Sequence, residues 1–369
     1  MNKPFSVYLD LVRFSAACLV YMYHSNQRWL VAKPLSASGY GHSSVIVFFV
    51  LSGFVIAYIT DTKEKDWVSY TSSRISRVYS VVIPAVFLTV LFDSIGRHLY
   101  PAIYAYPYDQ FVIRIAASLL LMNEIWLISI TSFSNVPYWS ICYEGWYYVA
   151  FAFLTFVTSP KRYIALAGVM LILGPKIVML APIWAAGVVL WRWKALQSLS
   201  VAVSLALVAV SLAGIVLFHM ADVAGLASTR LKDAIGENLG RELTFSQFFL
   251  ADYLLGLLVF CNFAGMRRIS VFLSPVLLRI APAVRFLAGF TFTLYLLHQP
   301  LILFWGSVVR GDPNGLAYWL TVTALSALSI LTIGHFTESR RHVLRAWLEE
   351  RIKGAQRAWI ARRFADGSQ

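Results

Sequence analysis

Long apolar runs separated by short polar breaks organise this chain from end to end. They lie near residues 5–24, 45–60, 78–92, 111–130, 139–157, 163–175, 177–191, 199–218, 248–263, 286–305 and 317–335. A helical membrane crossing takes about 20 predominantly apolar residues, so the pattern predicts an all-α, polytopic membrane helix bundle. The first run has the outline of a cleavable signal, with Lys3 ahead of it and Ser15-Ala16-Ala17 as small residues. Asp10 and Arg13 interrupt its apolar core, however, and it is read as a retained helix. The run at 111–130 differs from the others. Its apolar part, Ile115 to Leu121, gives way to Asn123 and Glu124, as in a segment that lies in the interface or re-enters.

Composition agrees with a membrane protein. Of 369 residues, 59% are hydrophobic and 13% charged, against roughly 45–50% and 25% in soluble domains. The formal charge of +13 would suggest nucleic-acid binding in a soluble protein. Here the basic residues fall mainly in loops and the tail, where they orient the chain and meet anionic lipid, so membrane lipid and not nucleic acid is the expected partner. If 111–130 does not cross, 21 Lys and Arg lie on the side of the N-terminus and 9 on the other, Lys33 and Lys176 among these outer-loop cations, with Arg13 inside the first helix. If it does cross, the balance inverts to 10 and 20. Cytoplasmic loops carry the Lys/Arg excess, which favours about ten transmembrane helices with both termini cytoplasmic. Residues 1–340 then form the membrane domain and 341–369 a basic, Trp-containing tail on the cytoplasmic surface. Cys18, Cys142 and Cys261 sit far apart in apolar runs with no metal-ligand spacing, so no metal is expected.

Ionisable residues inside apolar runs are the candidates for chemistry. Arg13 and His24 are eleven residues apart on the first helix, which puts them on one face and about 16 Å apart along the axis. Arg13 has either a functional role or a plain ion pair, within or between helices, with Asp10 or another carboxylate. Glu144, entering from the same side as His24, is expected at a similar depth, where a carboxylate would orient the imidazole as a general base. His298 adds a second imidazole on a later helix. Arg74 and Arg77 share a helix face at the cytoplasmic side, where they suit either positive-inside anchoring or a bidentate phosphate clamp.

Taken in order, these motifs resemble one family. Arg13 with His24, Phe48-Phe49-Val50-Leu51-Ser52-Gly53-Phe54, Arg74-x-x-Arg77, Trp139-Ser140-x-x-x-Glu144-x-x-Tyr147-Tyr148 and Tyr295-x-x-His298-x-Pro300 are similar to the ordered signature of the acyltransferase-3 family, over about residues 5 to 340. These are integral membrane enzymes of the type that O-acetylate bacterial polysaccharides. Two positions depart from the family pattern. Gly145 stands where a second acid often follows Glu144, and Ser339 stands where proline often follows the acid at Glu338.

The resemblance implies acyl transfer from cytoplasmic acyl-CoA to a hydroxyl of a cell-surface or lipid-linked saccharide, by a multi-pass protein of the bacterial inner membrane. It implies functional roles for Arg13, His24, Arg74 and Arg77. On this reading His24 and Glu144 are catalytic, Arg13, Arg74 and Arg77 bind the donor, and Tyr295, His298, Trp139 and Ser140 bind substrate. Intramembrane Arg, His and Glu also suit a proton-coupled transporter or flippase of a glycan precursor, but the sequence lacks the internal symmetry common in transporters.

Overall fold

The computed structural model describes residues 1–366 except 30, 31, 33, 34, 36 and 159, with side chains as far as Ala358. Lys33, counted above with the outer loops, and the tail's last residues 367–369 lie outside the described part. In chain order the helices are α1 (Lys3–Arg28), α2 (Gly41–Thr62), α3 (Trp67–Leu99), α4 (Phe111–Leu119), α5 (Trp139–Phe156), α6 (Lys161–Leu173), α7 (Pro175–Arg192) and α8 (Val201–Met220). They continue as α9 (Val223–Ile235), α10 (Glu237–Glu242), α11 (Phe249–Ile269), α12 (Ser274–Ala288), α13 (Thr291–Val308), α14 (Leu316–Phe336) and α15 (Arg341–Asp366). A two-stranded hairpin, β1 (Glu124–Ile125) and β2 (Ile128–Ser129), is the only sheet among the described residues.

Each of the ten runs expected to cross coincides with a helix, but the helices are not equal. Seven (α1, α2, α3, α7, α8, α11 and α14) are long and apolar enough to span a membrane, and an eighth span forms if α12 and α13, bent by 50°, count as one. The 18-residue α5 carries too many polar positions, and α6, with 13 residues, is only about 20 Å long. The 111–130 run is no spanning helix. It breaks after the nine residues of α4 and turns into the hairpin, because Asn123 and Glu124 are buried against protein partners.

Local signals set the helix starts. Asn2 accepts a hydrogen bond from Phe5 N at 2.8 Å to open α1, and Asp66 accepts from Ser69 N at 2.9 Å to open α3. Side-chain caps of this kind satisfy amides that no helical carbonyl can reach. At the start of α13 the cap comes from far along the chain. Glu338, between α14 and α15, accepts from Thr293 N and Thr293 Oγ1, each at 2.9 Å. A carboxylate is well placed at that positive helix end, and it ties the close of α14 to the bend between α12 and α13.

One close approach fixes the middle of the bundle. A Cβ on Gly53 of α2 would lie 1.9 Å from the Trp184 carbonyl oxygen, and one on Gly187 of α7 would lie 2.0 Å from that of Val50. In lipid, helices associate through such small-residue contacts, because apolar burial alone gives little preference for protein over lipid. The contact also brings Trp184 Nε1 to Ser52 Oγ, 3.2 Å away.

Gly53→Val is therefore expected to lower the melting temperature in detergent, by the equivalent of about 1–3 kcal/mol of overpacking. Gly168→Ala, with no neighbour within 4 Å, is the control and should leave it unchanged or slightly raised. Equal melting curves for the two variants would contradict the packing argument.

Candidate functional site

Two cavities lie along α1. The first, narrow at about 50 Å³, is lined by Arg13, Arg74, Arg77 and Glu144 together with Ser52 and Tyr148. The second, of about 650 Å³, opens at the other end of the bundle and is lined by His24, His42, Trp139 and Gln299 among others. Val45 and Tyr295 line both, so they form the partition between an arginine chamber and a histidine chamber. Tyr295 is held there by Ser140, with its hydroxyl 2.6 Å from Ser140 Oγ, and Phe48 packs edge-on against its ring.

The segment before α5 fixes this partition. Asp93 of α3 accepts from Ser134 N at 3.0 Å and Ser134 Oγ at 2.5 Å. Asn135 Nδ2 donates to the Leu296 carbonyl of α13 at 2.7 Å. With both sides pinned, α5 starts at a defined place: Trp139 faces the histidine chamber, while Ser140 and Glu144 face the arginine chamber.

Most sequence-predicted residues border one chamber or the other, but their pairing differs from expectation. Arg13 does pair with Asp10, at 3.0 Å, and it also lines the arginine chamber, so the two readings of it are compatible. Arg74 and Arg77 do not act as equals. Arg74 donates to both oxygens of Glu64, at 3.0 and 2.8 Å, and both side chains are buried. Arg345 of α15 approaches the same carboxylate at 3.7 Å and donates to Ser69 Oγ at 3.2 Å, which joins the basic tail to the start of α3. Arg77 borders the chamber with no carboxylate in ion-pair range among the described residues. The spacing of the two arginines on one face gave no sign of this asymmetry.

The expected pairing of Glu144 with His24 is not formed. Glu144 accepts from Ser52 Oγ at 2.6 Å and from the Tyr148 hydroxyl, and it borders the arginine chamber, whereas His24 borders the other. Helix α5 carries Glu144 a full turn past the partition, which an estimate from helix entry sides could not resolve. His24 instead neighbours His298, with ring centroids 5.1 Å apart. Nδ1 of His298 lies 2.7 Å from the Tyr295 carbonyl, which can only accept, so that nitrogen carries the proton. Nε2 of this buried ring has no partner among the described residues and remains an acceptor.

Two ionic pairs escaped sequence reading. Lys176, counted as an outer-loop cation, is fully buried on α7 and pairs with Glu124 of the hairpin. It also donates to the Ile128 carbonyl at 2.9 Å and to Ser129 Oγ at 2.7 Å. His42 of α2 meets Asp252 of α11 at 3.0 Å. Asp252 in a long apolar run was a detectable signal, since a carboxylate there requires a partner, but its partner is 210 residues away.

A family model of an acyltransferase domain, that of the acyltransferase-3 family, matches residues 6–334. No curated protein and no solved structure gives a significant match. The matched span includes every residue of both chambers.

Substituting Arg74 by Ala is expected to destabilise the fold by about 3–5 kcal/mol, because it leaves Glu64 charged and buried without its main partner. The double variant Glu64→Gln with Arg74→Met should recover part of that loss. Arg77→Ala should leave the melting temperature near that of the wild type. Thermal unfolding of the three purified proteins checks this, and equal losses for the two single variants would refute the asymmetry.

Proposed function

The chain belongs to the acyltransferase-3 family, and we propose that it moves an acyl group, acetyl in the first instance, from cytoplasmic acyl-CoA to a hydroxyl of a cell-surface or lipid-linked saccharide at the bacterial inner membrane. The observation that carries this reading is that the arginine and histidine chambers share Val45 and Tyr295 as a common wall. A donor with several phosphates cannot enter lipid, but its phosphates can stay with cations at one end while a flexible arm reaches through the bundle. The roughly 16 Å from Arg13 to His24 matches the reach of an extended pantetheine arm.

In this reading Arg77 is the free phosphate ligand, Arg74 supports it from the Glu64 pair, and Arg13 contacts the donor deeper in. Glu144 balances the arginine charge and leaves His24 unpaired with acid. The Tyr295 hydroxyl, bonded to Ser140, moves aside for the arm. In the histidine chamber His24 takes the proton of the saccharide hydroxyl. The hydroxyl oxygen attacks the thioester carbonyl carbon, the carbon–sulfur bond breaks, and the departing thiolate recovers the proton from the imidazolium. His298 supports this, since its free Nε2 can accept from one nitrogen of His24 and leave the other as the base. Trp139 borders the acceptor's space.

Removal of a general base typically costs about 10²- to 10⁴-fold. His24→Ala is accordingly expected to abolish detectable acylation of surface saccharide at wild-type protein levels, measured by glycan mass with and without the gene. Arg77→Ala should raise the KM for acetyl-CoA while kcat changes less. Unaltered glycan acylation in His24→Ala cells would overturn the assignment of the base.

A further inference from the structure

The chemistry above leaves one ionic pair at the histidine chamber without a task. Nε2 of His42 lies 3.0 and 3.1 Å from the two oxygens of Asp252. The Asp252 side chain is 1% exposed and that of His42 25%, so the acid is sealed while the imidazole reaches the cavity it lines. His42 is the only hydrogen-bonding partner of Asp252 among the described residues. A buried carboxylate of this kind is tolerated only against a donor, which puts a proton on Nε2. Nδ1 has no protein partner among the described residues and is the ring's remaining polar atom. Trp139, buried and stacked on Phe245 at 4.3 Å, lies nearly parallel to the imidazole with centroids 6.3 Å apart at 13°, and Phe248 flanks it at 5.0 Å; all three aromatic rings line the same cavity.

A polar atom of fixed direction beside a flat aromatic wall suits one chemical class well. A pyranose offers hydroxyls around its rim and an apolar face of C–H groups, so it can hydrogen-bond to an imidazole while its apolar face packs against the aromatic cluster of Trp139, Phe245 and Phe248. His24 lines the same cavity, so a sugar held at His42 and the proposed base share one space. We propose that His42, oriented by Asp252 and backed by Trp139, is the acceptor-positioning site: Nδ1 binds one hydroxyl of a pyranose ring and thereby selects which neighbouring hydroxyl reaches His24. This rests on the acyl-transfer reading above. The contrasting role is purely structural, a pin between α2 and α11.

The test uses the full-length protein in lipid nanodiscs, with radiolabelled acetyl-CoA as donor and methyl gluco-, galacto- and mannopyranosides as acceptors. The variants are His42→Ala, His42→Gln, Asp252→Asn and Trp139→Leu. A lost hydrogen bond to a fixed imidazole nitrogen corresponds to about tenfold in affinity. The expected result is a KM for the methyl hexoside raised about tenfold or more in His42→Ala and Asp252→Asn, with acetyl-CoA affinity within about twofold of wild type. His42→Gln, which keeps an amide able to donate to Asp252 and a carbonyl able to accept from a hydroxyl, should recover part of the loss, and the site of acetylation on the ring, read by NMR, should become mixed. A fall in kcat alone, or a loss of stability with acceptor KM unchanged, would overturn the proposal in favour of the structural pin. Wild-type protein that binds acetyl-CoA but acetylates none of the three hexosides would overturn the pyranose site and leave the donor reading standing. Protein that does not bind acetyl-CoA at all would remove both.

Discussion

The cost of placing charge in an apolar medium orders this molecule. An ionised side chain near the centre of a bilayer costs several kcal/mol unless it finds a partner or a polar cavity, and the described residues follow that rule closely. Lys176 closes on Glu124, Arg74 on Glu64, Asp252 on His42 and Arg13 on Asp10. Arg77 and Glu144, which lack an ionic partner, both border one chamber, and His24 borders the other. Pairing thus does more than stabilise. It separates charges that hold the bundle together from charges left available to a ligand.

The scaffold places these groups by means suited to lipid. Helices α2 and α7 touch backbone to backbone through Gly53 and Gly187, and that contact sets Ser52 between Trp184 and Glu144. The bend between α12 and α13 opens the start of α13 inside the bundle, where Glu338 caps it. Broken helices with satisfied ends are a recurrent way of building polar sites at membrane depth. Tyr295, in the partition, and His298, beside His24, project from this same helix.

For a reaction between a phosphate-bearing donor and a polar acceptor, a divided interior has a clear advantage. The two reactants can be recognised by different chemistry, guanidinium groups at one end and imidazole with aromatic walls at the other. In the proposed reaction, a constriction of the Tyr295 type would also keep water away from the donor thioester until both reactants are present. The family to which the chain belongs performs acyl transfer, and the arrangement of charge is coherent with it.

Apolar run length, the interrupting Asp10 and Arg13, and the ordered motifs were enough to fix an all-α membrane bundle and its family, because lipid leaves the backbone few alternatives to the helix. The same signals picked out Arg13, Arg74, Arg77, Glu144 and Ser140 in the arginine chamber, Tyr295 in the partition, and His24 and Trp139 in the histidine chamber, but not His42 or most of that chamber's other lining. What they could not supply was partnership. Glu144 goes to Ser52 and Tyr148 instead of His24, Lys176 is buried instead of lying in a loop, and His42 finds Asp252 across 210 residues. Hydropathy depends on a residue and its chain neighbours, whereas pairing depends on the depth and rotation of whole helices against one another. Only the packed tertiary structure decides those, through contacts such as Gly53 against Trp184 that join residues far apart in the chain.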